Sequence, residues 1–95
     1  MENCTGFQWD EGNIDKNWIK HKVLNIECEQ VFFNTPVFIL EDTKHSGDEN
    51  RWYLLGKTDF DRHLFIVYTI RDNLIRVISA RDMSKKEKEI YNEQN

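Results

Sequence analysis

The stretch RVISAR sets two guanidinium groups, Arg76 and Arg81, among Val77, Ile78, Ser79 and Ala80. A strand of this apolar character seldom carries arginine unless an anion or water meets it. Further charged groups lie upstream. Arg51 and Lys57 bound the alternating run RWYLLGK, and His45 and Glu49 stand in the polar stretch just before it. Guanidinium forks bind a phosphate through paired hydrogen bonds, and an ammonium adds a point charge. Cutting an RNA phosphodiester without a metal needs a base for the 2′-hydroxyl and an acid for the departing 5′-oxygen. It also needs cations to hold the charge that builds on phosphorus. His45 and Glu49 are the titratable candidates; Arg51, Lys57, Arg76 and Arg81 are the cationic ones. Residue types alone leave a plainer alternative open. A loop with a histidine and a glutamate is an ordinary solvated connection, and Arg76 on a solvated face would pair with a carboxylate across the sheet.

Other chemistries find less support. The four glycines are scattered, so no phosphate-cradling loop is expected. Ser46 and Ser79 lack the flanking glycines of a nucleophile elbow. Cys4 and Cys28 lack CxxC spacing, and His21, His45 and His63 stand far apart. The cysteines are therefore expected as free thiols, with neither a metal nor another cofactor. Trp9, Trp18, Phe32, Phe33, Trp52 and Tyr53 are expected in the core rather than as base-stacking platforms.

The elements that must position these side chains belong to a chain of 95 residues, enough for one domain over 1–95 with one modest core. A hydrophobic share of 39% and an aromatic share of 13% predict folding rather than disorder. No run approaches the ~18 apolar residues that span a bilayer. The opening MENCTGFQWDEGN lacks the pattern of a signal peptide, so the expected compartment is the cytoplasm. Net charge is −4, which taken alone disfavours a nucleic-acid partner. Its distribution is uneven: residues 1–50 hold four Lys against ten Asp and Glu, and all five arginines lie in residues 51–95. An acidic total can thus hide a local basic surface.

GFQW predicts a short opening strand with Phe7 and Trp9 on one side. Asp10 is a candidate N-cap for a helix over 11–21, where Ile14, Trp18 and His21 form one stripe. A second helix over about 26–33 would bury Val31 and Phe32 beside Cys28, and NTP ends it at Pro36. VFIL, RWYLLGKT, HLFIVYTI and LIRVISAR then read as strands, the third of them central, with turns at DFDR and RDN. Strict alternation puts Arg76 with Leu74, Ile78 and Ala80, and Arg81 on the opposite face with Ile75, Val77 and Ser79. SKKE is a capping box opening a last helix, with Ser84 as N-cap and Glu87 as its partner. The expected fold is α+β: N-terminal helices, an antiparallel sheet of about four strands, and a C-terminal helix.

Nearly the whole line of residues resembles the BrnT toxins of bacterial toxin–antitoxin pairs. The resemblance runs through F-x-W-D (Phe7, Trp9, Asp10), N-x-x-K-N-x-x-K-H (Asn13 to His21) and VFFNTP. It continues in D-x-x-H-S-x-x-E-x-R (Asp42 to Arg51), LGKT, YTIR and IRVISARDMSKKEKEIY. The family usually has Gly after KH, where this chain has Lys22, and often G-R in the later hairpin, where it has Asp61-Arg62. The resemblance implies a RelE-like fold, an RNA substrate, and a ribonuclease that halts growth. It also implies a BrnA-type antitoxin as partner, through which alone the pair would reach operator DNA; no membrane is involved. By the same resemblance Arg76 and Arg81 bind phosphate and the transition state, Lys57 and Arg51 assist, and His45 or Glu49 moves the proton. Ser79 and Tyr91 would lie near substrate. The competing expectation is a non-catalytic module whose basic surface docks an acidic segment of the antitoxin. A third is an unrelated α+β domain.

Overall fold

The computed structural model describes residues 4–10, 20–42 and 49–93. Its elements in chain order are β1 (Gly6–Phe7), α1 (Asn25–Phe33), β2 (Phe38–Glu41), β3 (Arg51–Lys57), β4 (His63–Arg71), β5 (Leu74–Asp82) and α2 (Lys85–Glu93). Five strands form one mixed sheet in the order β1–β5–β4–β3–β2. The α+β class and the C-terminal meander agree with expectation, and β4, the most apolar strand, is the central one.

The strand count and pairing do not agree. The sheet has five strands rather than about four, and β1 runs parallel to β5, with Gly6 opposite Leu74 and Phe7 opposite Ile75. Thr5 N donates to Asn73 O at 2.8 Å and Gln8 N to Ile75 O at 2.8 Å. The reason is an edge: the start of β5 would otherwise leave its outer backbone groups unpaired, and the two-residue β1 covers that start. The helix expected over 11–21 falls mostly outside the described residues, Ile14 and Trp18 included; Lys20 and His21 are helical.

Alternation gives the sheet two unlike faces. On one, Leu54, Leu64, Ile66, Tyr68, Val77 and Ala80 meet Val23, Cys28, Val31 and Phe32, all buried. Burial pushes the Cys28 thiol up to about 12. Gly56 lets α1 approach: a Cβ there would stand 2.7 Å from Val31 Cγ1. On the other face α2 covers one end, where Leu55, Met83 and Tyr91 pack with Phe38, Phe65 and Ile90. The capping box forms as predicted. Glu87 N donates to Ser84 Oγ at 3.2 Å, and Ser84 N donates to Glu87 Oε1 at 2.8 Å.

Two departures from the resembled family acquire a physical meaning here. Lys22 has φ 56° and Asp61 has φ 65°, the left-handed region in which glycine carries no penalty. The chain keeps the turns and tolerates the strain. Asp72 and Asn73, also at positive φ (54° and 63°), close the β4–β5 hairpin as a two-residue loop whose twist matches the strands.

Candidate functional site

β3, β4 and β5 present three successive rows on the face that α2 covers only in part. Arg51 pairs with Thr69 and Thr69 with Arg76; Tyr53 pairs with Val67 and Val67 with Ser79; Leu55 pairs with Phe65 and Phe65 with Arg81. Side chains directly opposite on neighbouring strands share a face. Arg76 and Arg81 therefore lie on the same face, not on opposite ones as unbroken alternation required. A β-bulge causes this. The register slips between Val67 and Tyr68, leaving Ile78 as the extra residue of β5, and everything after it turns over.

At the outer end of this face the charges converge. Arg71 is the last residue of β4, and it donates from Nε to Glu49 Oε2 at 3.0 Å and from Nη2 to Glu49 Oε1 at 2.6 Å. Arg76 Nη2 donates to Asp10 Oδ2 at 3.4 Å and keeps 30% of its side chain exposed. Glu49 is held below the usual carboxylate range, chiefly by its hydrogen bonds from Arg71, with Arg76 and Arg51 adding through space. One carboxylate thus feels three guanidinium groups. Thr69, buried between Arg51 and Arg76, donates from Oγ1 to Asn50 O at 2.7 Å and ties down the start of β3.

The remaining candidates are placed elsewhere. Lys57 ends β3, six residues from Arg51 and so about 20 Å away, where it pairs with Asp61 at 3.6 Å. Arg81 is four β4 positions from Arg76, about 13 Å. Its Nη1 and Nη2 donate to Glu87 Oε1 and Oε2 at 2.8 and 2.9 Å, and its Cζ lies 4.2 Å from the Phe65 ring centre. Those hydrogen bonds hold Glu87 below its usual range. Tyr91 is buried, its hydroxyl donating to Pro36 O at 2.7 Å, and its ring packs edge-on against His63. Ser79 sits on the face between the two arginines of β5. His45 lies outside the described residues.

Glu49, Arg51 and Arg76 are therefore brought together. Lys57 and Tyr91 are not part of that cluster, and Arg81 stands along the same face with a carboxylate of its own. Sequence reasoning gave no role to Arg71, whose signal was its place directly before the Asp72-Asn73 turn. Nor did it single out Arg62. That guanidinium binds Asp82 Oδ1 at 2.7 Å, both oxygens of Glu27 at 3.2 Å, Lys22 O at 2.8 Å and His21 O at 3.1 Å. It clasps four segments of the chain and lies beside Lys57, away from the cluster.

Chemically, Arg51, Arg71 and Arg76 gather guanidinium groups of the kind that can receive an anion, and here carboxylates meet two of them: Glu49 meets Arg71, and Asp10 meets Arg76. Comparison with curated proteins finds no match to the chain. A family profile described as "Ribonuclease toxin, BrnT, of type II toxin-antitoxin system" matches residues 9–87. The match runs from Trp9, beside β1, to Glu87 in the cap of α2, and takes in every strand from β2 to β5 together with α1. The chain belongs to the BrnT family of ribonuclease toxins of type II toxin–antitoxin systems.

Proposed function

We propose that this protein is a metal-independent endoribonuclease toxin with a RelE-like fold, acting in the cytoplasm and neutralised by a BrnA-type antitoxin that also brings the pair to operator DNA. The reaction is attack of a 2′-hydroxyl on the adjacent phosphorus, with loss of the 5′-oxygen, leaving a 2′,3′-cyclic phosphate and a free 5′-hydroxyl. The observation that carries this reading is the bulge at Ile78, which aligns Arg76 and Arg81 on the face that holds Arg51. Arg76 and Arg51 hold the phosphate, and Arg71 turns from Glu49 to join them as negative charge builds on phosphorus. A carboxylate held at low pKa is a weak base, so Glu49 positions Arg71. His45, of the side-chain class suited to proton transfer near neutral pH, takes the proton of the 2′-hydroxyl, and the departing 5′-oxygen takes its proton from water. Arg81 and Ser79 contact the strand further along. Lys57, paired with Asp61, stands too far off to assist, and Tyr91 supports α2.

Induction of the chain alone in a bacterial culture is the test. The wild type arrests growth, Arg76→Ala does not, and co-expression of the antitoxin rescues. Cleaved RNA carries 2′,3′-cyclic phosphate and 5′-hydroxyl ends; 5′-phosphate and 3′-hydroxyl ends would rule the mechanism out. One observation favours a second reading. Arg71, Arg76 and Arg81 each already hold a carboxylate, as a surface built to dock an acidic segment of the antitoxin would. Under that reading the folded, abundant wild type produces no arrest, and Arg76→Ala weakens antitoxin binding instead.

A further inference from the structure

Phosphate chemistry accounts for the arginines but not for the apolar groove beside them. This groove, about 440 Å³ in volume, is lined by Phe38, Leu40, Tyr53, Leu55 and Phe65 of the sheet and by Lys86 and Ile90 of α2, with Ser84 and two carboxylates, Asp42 and Glu87, the latter held by Arg81. The pairings of Leu40 with Tyr53 and Phe38 with Leu55 set its floor on the arginine face. Tyr53 lies two residues from Arg51 on one strand, about 7 Å along it. Its ring stacks on Phe65, with centres 5.6 Å apart and planes 29° apart, and Arg81 lies over Phe65 in turn. Leu40 keeps 42% of its surface exposed.

Single-stranded nucleic acid alternates anionic phosphates with flat apolar faces, and its binding surfaces alternate cations with aromatic platforms. The same alternation appears here: Arg51 and Arg76 first, then the Tyr53–Phe65 stack, then Arg81, with Lys86 above. A purely apolar peptide would have no use for the cations at both ends. We propose that the groove receives one base of a single-stranded RNA, adjacent to the phosphate held by Arg76 and Arg51, with Tyr53 as its stacking platform. This deepens the ribonuclease reading and rests on it. Stacking needs only a π-face, so the groove accepts any of the four bases.

The test is binding of a labelled oligonucleotide with 2′-O-methyl riboses, which has no attacking hydroxyl, read by fluorescence anisotropy while one abasic position is moved along it. In the wild type one position loses about tenfold in affinity, the scale of one base–aromatic stack. Tyr53→Leu binds the intact oligonucleotide about tenfold more weakly, and the same abasic position then costs nothing more, because platform and base form one interaction. Tyr53→Phe behaves as wild type. Additive losses, a scan with no sensitive position, or no binding at all would overturn the proposal. So would loss of antitoxin affinity in Tyr53→Leu with RNA affinity intact, which would give the groove to the antitoxin. Should Tyr53→Leu not fold, the wild-type scan and the same cycle with Leu40→Ser, at an exposed floor position, decide the matter. Cleavage of unmodified RNA is assayed separately. Position-specific binding without cleavage sinks the ribonuclease reading and leaves the base groove standing.

Discussion

On the proposed function Arg71 has a choice of anion. At rest its two nitrogens grip Glu49, at 2.6 and 3.0 Å, on an exposed edge where such a pair stabilises the fold only slightly. The two non-bridging oxygens of an RNA phosphodiester offer the same geometry. On the proposed function Glu49 and RNA compete for one guanidinium, and Glu49→Gln should favour RNA. The expected result is tighter binding of a non-cleavable oligonucleotide, with a salt dependence steeper by about one ion released. Unchanged affinity and slope across a salt titration would mean that Arg71 never meets the substrate. None of this could be read from the sequence, because Arg71 stands beside a turn and turn-flanking arginines are usually solvated. Glu49 was legible only as a titratable group; its low pKa comes from arginines on β3, β4 and β5, which converge only in the folded sheet.

At the scale of elements, strands and hairpins were legible where chemistry is local. Alternation marks β3, positive-φ residues close the β4–β5 turn, and Ser84 with Glu87 opens α2. The bulge was not legible. Ile78 is β-branched and apolar like any strand residue, so the pattern holds no sign that it is the extra one. The short opening strand was legible in GFQW, but its parallel pairing with β5 was not, since two residues carry no sign of their partner. The capping element also has a pH signature. Glu87 is held below its ordinary value of 4.5 by Arg81, and Asp82 below 3.8 by Arg62. A carboxyl whose folded pKa is depressed adds stability above its unfolded pKa and loses it as pH falls through the folded one. Thermal melts should therefore show a melting temperature insensitive to these groups from neutrality down to about pH 5, and falling below that. Glu87→Gln should be less stable at neutral pH and should flatten the acid limb; an equally steep limb would count against this assignment.

For the whole molecule, Arg62 is the residue with the widest reach. It joins His21 and Lys22, Glu27 of α1, the β3–β4 turn and Asp82 at the end of β5. Arg62→Ala leaves two backbone carbonyls and two carboxylates without their donor. The loss should be about 2 kcal/mol in a denaturant titration, a typical net value for hydrogen bonds to charged groups. A loss of unfolding free energy under a quarter of that size would show the clasp to be ornamental. The family positions occupied by Lys22 and Asp61 border this clasp, so the chain holds its strained turns with the same guanidinium that ties its segments together. Among the described residues no helix is long and apolar enough to cross a membrane.

The parallel pairing of β1 with β5 also bears on how the molecule is made. Thr5 and Asn73, which hydrogen-bond where those strands meet, are 68 positions apart. Contacts of such separation form late, after the intervening chain is available to close the loop. During synthesis, β1 must wait unpaired until residues 74 and 75 have emerged from the ribosome. The arginine row is on the same schedule, because Arg76 is two residues into β5. A chain translated short of β5 therefore lacks the row that Arg51, Thr69 and Arg76 make across three strands, and on the proposed function it would have no toxin activity while still on the ribosome.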